Sequence, residues 1–348
     1  MFPTKYCVFF LIFFLFFFFI LLQTNENEEY VKYDEQFITN CRGMRLFTCQ
    51  WTPIKEEPKA LIFICHGYAM ECSITMKSTA IRLAEAGFAV YGIDYEGHGK
   101  SSGCTAFVDN FDHIVHDCSN HFTSICEREE NRRKMRYLLG ESMGGAVALL
   151  LHSMKPEYWD GAVLSAPMCK IADDMKPPLP VILLMKAVCK VVPTWRAVVM
   201  HQDIVNIAFK EEKIRHQVRE NQYCYKGAPR LKTCYELMRV STNLEENLQD
   251  VTFPFLVLHG GDDRVTDKQA SQKLYDVASS SDKTLKLYPG MWHGLLYGEP
   301  LENTDVVFKD IIGWLEERTT LGNSRLEEEQ KLRNDESLKQ EETTPPTI

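Results

Sequence analysis

The chain contains no Cys-x-x-Cys pair, although it has twelve cysteines. Zinc ribbons and thioredoxin-type exchange are therefore without their defining spacing. Cys65 sits in an apolar run, and Cys169, Cys189, Cys224 and Cys234 fall at unrelated intervals, a scatter that reads as small buried hydrophobes or reduced thiols. Positive charge is also in short supply: 39 Lys and Arg stand against 48 Asp and Glu, a formal net charge of −9. Such a chain has no general attraction for nucleic acid, and no partner of that kind is expected. The Gly-rich stretch 94–103 carries Asp94, Glu96 and His98 but lacks the spacing of a phosphate-binding loop, so it reads as a structural turn. Along 111–128, His113, His116 and His121 never stand four apart. The zincin arrangement is missing, and an amphipathic surface helix is the expectation there. A His-x-x-x-x-Asp acyltransferase signature is absent too. None of these stretches calls for a metal or a cofactor.

What the chain does have is Tyr137–Ala148, YLLGESMGGAVA, which sets a Ser between paired glycines where an apolar run meets a small-residue helix. This is the Gly-x-Ser-x-Gly form of a nucleophile elbow: Gly140, Glu141, Ser142, Met143, Gly144. A Ser hydroxyl must be lifted clear of the backbone toward a base, and a tight strand-to-helix turn does so. That turn leaves no room for a Cβ on either side, which glycine satisfies. Met135–Leu139 before it reads as a buried parallel strand and Ala146–Met154 after it as a helix.

With 348 residues and 45% hydrophobic content, the chain suits one large α/β domain with an insertion, or two modest domains. At the N-terminus, Cys7–Leu22 is uninterrupted apolar sequence between Lys5 and the acidic QTNENEE. As a helix it would rise roughly 24 Å, a little short of a ~30 Å hydrocarbon core. No small-x-small cleavage site follows it, and the flanking charges fit insertion with the amino end cytosolic. A membrane anchor is expected, with a signal-peptide core as the alternative.

Further along, Glu29–Trp51 alternates in two bursts around a turn at Asn40–Gly43, as an edge hairpin does. Ala60–Cys65 is a continuous apolar run, the pattern of a central strand buried on both faces. The loop after it, HGYAMECS, occupies the place from which hydrolases with such an elbow take one oxyanion amide. Tyr68 would supply that N–H and Met143 the second; His66 reads as a loop brace. Helical spacing over Ser78–Ala86 and the apolar FAVYGID continue a βαβ alternation. After the short strand Gly161–Pro167 the text turns helical and Pro-punctuated from Lys170 to Ser241 before DVTFPFLVLHGGDD resumes the sheet. A helical insertion between two sheet strands is a cap. Within it Val181–Val192 is apolar apart from Lys186 and Lys190; together with Tyr223 and Tyr225 it is a candidate lining for acyl chains, or a membrane-facing surface.

An acid on the loop after a late strand is where the orienting member of a Ser…Asp…His triad belongs. Asp267 reads as the N-cap of a helix over Lys268–Ala278, leaving Asp262 or Asp263. After the last strand, KTLKLYPG, His293 stands in MWHGLL where the base is expected. Asn303–Arg318 forms a closing amphipathic helix.

With HGYAMECSITM at 66–76, DYEGHGKSSG at 94–103, GESMGGAVALL at 140–150, HGGDDRVTD from His259 and PGMWHGLL from Pro289, the chain resembles the plant monoacylglycerol lipase and caffeoylshikimate esterase branch of the α/β hydrolases, often labelled lysophospholipase-like. The resemblance spans about Glu29 to Arg318. It implies an α/β-hydrolase fold, a mostly parallel sheet with helices on both faces and a helical cap. In that family the catalytic acid is the fifth residue counting from the His of the late-strand motif, which selects Asp263. It also implies catalysis by Ser142, Asp263 and His293 with Tyr68 and Met143 as oxyanion amides. The expected activity is hydrolysis of a small-molecule carboxylic ester, foremost a monoacylglycerol, with caffeoylshikimate or a lysophospholipid as alternatives. A non-catalytic receptor-type member ranks below these, because the cap is longer and Pro-broken. The expected organisation is 1–28 hydrophobic segment and linker, 29–169 and 242–321 core, 170–241 cap, and 322–348 charged tail, disordered or a frayed helix. Membrane association through Cys7–Leu22 and the cap is the expected localisation; cytoplasmic or secretory-pathway placement is the alternative.

Overall fold

The computed structural model describes residues 30–170, 178–197 and 203–343. Eight strands form one sheet: β1 (Val31–Thr39), β2 (Arg45–Pro53), β3 (Ala60–Cys65), β4 (Ala89–Ile93), β5 (Met135–Glu141), β6 (Gly161–Ser165), β7 (Phe255–Gly260) and β8 (Lys283–Tyr288), in the spatial order β1-β2-β4-β3-β5-β6-β7-β8. The expected edge hairpin is present: β1 and β2 pair antiparallel from Val31↔Pro53 to Thr39↔Arg45, and β2 joins β4 antiparallel. From β4 to β8 every pairing is parallel. Because β4 lies on one side of β3 and β5 on the other, the chain reverses its direction of travel across the sheet between them. A crevice opens at the carboxyl ends of strands at such a switch.

Apolar runs without alternation become strands with both faces covered. In β3, Leu61, Phe63 and Cys65 enter one core cluster while Ala60, Ile62 and Ile64 enter the other, as the period of two dictates. The first face is covered by α2 (Phe111–Cys126), α3 (Met143–Met154), α7 (Leu231–Glu246) and α8 (Lys268–Val277), the second by α1 (Lys77–Glu85) and α9 (Leu301–Thr343). Each fully buried Leu or Ile of these strands contributes about 2 kcal/mol by leaving water.

Three sequence expectations change. α2 is more deeply set than a surface helix: Asp117, Cys118, Ser119 and His121 are buried beside its apolar stripe. Arg42 makes the burial of Asp117 tolerable, reaching Asp117 Oδ2 at 2.5 Å, and Asn40 Nδ2 adds a bond at 3.0 Å. Of the two forms expected for the charged tail, disorder gives way to helix: α9 continues to Thr343, with 344–348 outside the described residues; its Glu, Lys, Arg, Gln and Leu are strong helix formers even without an apolar stripe. α3 begins at Met143, three residues before the expected start.

Between β6 and β7 lie α4 (Leu179–Val188), α5 (Ile204–Ala208), α6 (Glu212–Glu220) and α7. α7 is anchored to the core by Val240 and Leu244, and by Thr233 and Glu236, which accept the Val108 and Phe111 N–H groups at 3.0 and 3.2 Å. Among the described residues no helix is long and apolar enough to cross a membrane, and Cys7–Leu22 lies outside them. The eleven described cysteines are all free, and only Cys41 and Cys104 are exposed.

Candidate active site

Ser142 stands between β5 and α3 with φ 54° and ψ −117°, a left-handed conformation that costs a non-glycine residue of order 1–3 kcal/mol. Three backbone bonds hold it there: Ser142 N–H to the Ser165 carbonyl, and Gly145 and Met168 N–H to the Ser142 carbonyl, each 2.9 Å. The two expected elbow glycines are steric necessities. A Cβ on Gly140 would lie 2.5 Å from the Gly144 carbonyl oxygen, and one on Gly144 would overlap the Cys65 carbonyl at the end of β3. Gly145 is a third, since its Cβ would meet Pro167 at 2.5 Å.

The close approach to β3 brings the following loop alongside the serine: a Cβ on Gly67 would sit 3.6 Å from the Ser142 Cβ. Tyr68 therefore follows a residue in contact with the elbow, and Met143 opens the first turn of α3, where N–H groups have no intrahelical partner. These are the two amides the sequence nominates.

The loop is fastened from several sides. His66 is wholly buried; its Nδ1–H donates to Gly67 O at 2.8 Å, its Nε2 accepts the Tyr95 N–H at 3.3 Å, and its ring stacks on Tyr95 at 3.9 Å. Burial, with His98 nearby, pushes its pKa down to about 3, so it is a neutral brace, as the sequence suggests. Buried Glu71 accepts bonds from Ser73 Oγ, the Ile74 and Thr75 N–H groups, Thr75 Oγ1 and, across from the cap, Asn221 Nδ2 at 3.0 Å. Tyr225 N–H reaches the Ala69 carbonyl at 3.0 Å. Its hydroxyl is spent on the Ala228 carbonyl at 2.8 Å, so the cap tyrosine first serves as a clamp.

His66, Cys72 and Asp94 bring ligand-type atoms within 4.8 Å of one another. The set does not suit a metal. Asp94 accepts the Cys72 and Lys100 N–H groups, Cys72 donates toward Ile93 O, and His66 is committed as above. Burial raises the Asp94 pKa to about 7. The stretch 94–103 is the structural turn its glycines predict, with positive φ at Gly97, Gly99 and Gly103.

On the loops after β7 and β8, His293 Nδ1 lies 2.8 Å from Asp263 Oδ2, both side chains buried. The geometry decides between the two acids left open by the residues: Asp262 is exposed. Asp263 Oδ1 accepts the Val265 and Thr266 N–H groups at 2.7 and 3.1 Å; its Oδ2 also meets the Thr266 hydroxyl at 2.9 Å and His259 Nε2 at 3.1 Å. Burial opposes its charge, but His293 and His259 beside it and these bonds hold its pKa far below the usual carboxylate range. For His293 burial works downward, yet Asp263, by charge and hydrogen bond, and then Glu141 leave its pKa raised. With its proton on Nδ1 facing Asp263, Nε2 is the nitrogen left to act as a base.

The His293 loop is gripped by the cap. Gly294 N–H donates to Ala208 O and Lys210 N–H to Gly298 O, both 2.9 Å; Lys210 Nζ reaches Gly290 O at 2.9 Å. The Phe209 ring occupies the space a Cβ on Gly294 or Gly298 would need. Asp267 is the N-cap of α8, accepting the Gln269 N–H at 2.8 Å, as its position suggests. Sequence reasoning missed His259, Thr266, Glu141 and Tyr297. His259 was visible at the head of its motif, but nothing in one sequence says which residues its ring will meet.

Residues 56–300 match the Hydrolase_4 family, described as serine aminopeptidase, S33. The chain is 33% identical over 302 residues to caffeoylshikimate esterase of Arabidopsis thaliana, covering 85% of this chain and 90% of that protein. It is 32% identical over 288 residues to human monoglyceride lipase, covering 82% and 91%. Among solved structures, a soluble variant of Saccharomyces cerevisiae monoglyceride lipase in complex with a substrate analog superposes with a TM-score of 0.72 at 20% identity, covering 81% of this chain and 94% of that one. This last likeness speaks for the fold.

Proposed function

Since the chain belongs to the Hydrolase_4 (serine aminopeptidase, S33) family of α/β hydrolases, we propose that it cleaves monoacylglycerols, with Ser142 as nucleophile, His293 as base and Asp263 as the orienting acid. As a class it is a serine hydrolase of carboxylic esters. The observation that carries the residue roles is the buried 2.8 Å pairing of His293 Nδ1 with Asp263 on loops at the same edge of the sheet as the strained Ser142 elbow. In the first step His293 Nε2 takes the Ser142 proton as Oγ bonds to the ester carbonyl carbon, and the oxyanion is received by the Tyr68 and Met143 amides. The proton passes to the leaving alcohol as the C–O bond breaks. Water, deprotonated by the same imidazole, then cleaves the acyl-enzyme and restores Ser142.

The choice of ester belongs to the cap. Val181, Leu183, Leu184, Val191 and Trp195 are exposed on and just after α4, an apolar face that suits an acyl chain better than a caffeoyl ring. The identity to caffeoylshikimate esterase keeps the phenolic ester as the second reading. With a panel of 1- and 2-monoacylglycerols, lysophospholipids and caffeoylshikimate, the expected result is a kcat/KM for monoacylglycerols at least about tenfold above the rest, about 1.4 kcal/mol of transition-state preference. A preference for caffeoylshikimate would reverse the ranking.

For localisation, the apolar run Cys7–Leu22 supports attachment to a membrane, where monoacylglycerols reside. In cell fractionation the full chain should stay with membranes through a high-salt wash while a chain lacking 1–28 becomes extractable. Release of the full chain by salt alone would rule out an anchor.

A further inference from the structure

Glu141, the last residue of β5 and the neighbour of Ser142, is buried at 3% exposure, and the ester mechanism above leaves its carboxyl unused. Its Oε2 accepts the Tyr297 hydroxyl at 3.0 Å. Tyr297 lies on the same loop as His293, four residues on, and its ring leans on Phe209 of the cap at 5.5 Å between centroids. One hydrogen bond thus joins the nucleophile's strand to the base's loop, and a cap side chain backs it.

We propose that Glu141 is a positioning residue for ester hydrolysis: its carboxylate, held by the Tyr297 hydroxyl, ties the elbow strand to the loop of His293 and places a second negative charge at that junction, which strengthens the imidazole as a base. The inference rests on the Ser142–Asp263–His293 reading. When His293 takes the serine proton, an imidazolium forms in a buried site where Coulomb attraction is weakly screened. Asp263 faces it through the bond at Nδ1, and Glu141 acts on it from the elbow side. His259 already shares Asp263, so the first carboxylate is not devoted to one imidazole. Burial, working against the charge on His293 and the Tyr297 hydroxyl, leaves the Glu141 pKa raised at about 7; because the two charges attract, imidazolium formation and Glu141 ionisation favour one another. Burial, then Glu141 by charge and hydrogen bond, and after these Cys224 and Glu71 raise the Tyr297 pKa, which keeps its hydroxyl a donor.

Two near-isosteric variants of the full chain test this, Glu141→Gln and Tyr297→Phe. The acid limb of the kcat/KM–pH profile should move down by about one unit in Glu141→Gln, with kcat falling about fivefold and KM changing less than about twofold. Tyr297→Phe should move the limb the same way by less. A merely structural role would lower rate or melting temperature and leave the limb in place; an unmoved limb in both variants overturns the proposal. If Glu141→Gln fails to fold, Tyr297→Phe decides alone. Labelling of wild-type protein by a fluorophosphonate separates the two levels: unlabelled Ser142 overturns the underlying reading and this inference with it, whereas labelled Ser142 with an unmoved limb overturns the inference only.

Discussion

Replacing Ser142 with alanine should lower kcat/KM for a monoacylglycerol by about 10⁵-fold while leaving the melting temperature within about 2 °C of wild type. Both halves follow from the elbow. The serine side chain makes no capping hydrogen bond to α3, so deleting Oγ removes no interaction that holds the helix. The cost of φ 54° is already borne by a residue with a Cβ, and alanine adds nothing to it. The catalytic loss is large because His293 and Asp263 have no function without a hydroxyl to deprotonate. For the same reason the His293→Ala variant should be similarly impaired, and the double variant no worse than either single one, because residues acting as a unit are not additive. The residual rate would come from binding and the two amides. Retention of the wild-type rate in purified Ser142→Ala would refute the assigned nucleophile.

Legibility in the sequence followed the range of the interactions involved. The elbow could be read because its constraints are local: Gly140 and Gly144 are demanded by backbone atoms within a few residues or on the adjacent strand. Strands β3 to β7 could be read because burial on both faces leaves an unbroken apolar run. Asp263 needed more, since Asp262 and Asp263 are chemically identical neighbours. What separates them is orientation at the end of β7, which the resemblance supplied and the His293 contact makes physical. The bonds of Thr266 to Ala166 and His293, and of Tyr297 to Glu141, were out of reach because their partners stand elsewhere in the chain; those of His259, to Asp263, Thr266 and Ser271, stay within its own segment but depend on the path of the turn after β7. The grip of the cap on the base loop was illegible in the same way. Phe209 could be any apolar cap residue until its ring is seen filling the space over Gly294 and Gly298. For α9 the start was legible and the end was not: the apolar stripe that marks the closing helix ends near Arg318, but helix propensity carries it on to Thr343.

Asp263→Asn should cost about 10⁴-fold in kcat at neutral pH, nearly as much as losing the nucleophile, although no atom that bonds to substrate changes. The Val265 and Thr266 N–H groups, at 2.7 and 3.1 Å from Oδ1, fix which end of the asparagine amide is oxygen. Its NH₂ must then take the place of Oδ2, facing His293 Nδ1. A donor there makes Nδ1 the acceptor and moves the imidazole proton to Nε2, the atom that must receive the serine proton. The same change withdraws the charge that raises the His293 pKa. In the wild type the acid limb of kcat/KM should lie above the ordinary imidazole value, because His293 must be neutral to act and its folded pKa is raised. In Asp263→Asn that limb should fall to or below the ordinary value. Stability gives an independent check on the sign. The folded pKa of Asp263 is depressed, so its contribution is fully present above the unfolded carboxylate value and is lost as pH falls toward the depressed one. His293, with a raised pKa, contributes below the unfolded imidazole value, and that contribution disappears as pH rises through the folded one. Denaturant titrations should therefore show a shallower loss of stability in Asp263→Asn than in wild type on acidification below the unfolded carboxylate value. A variant with wild-type kcat, or one whose acid limb and acid stability slope are both unchanged, would mean that Asp263 neither orients nor charges the base.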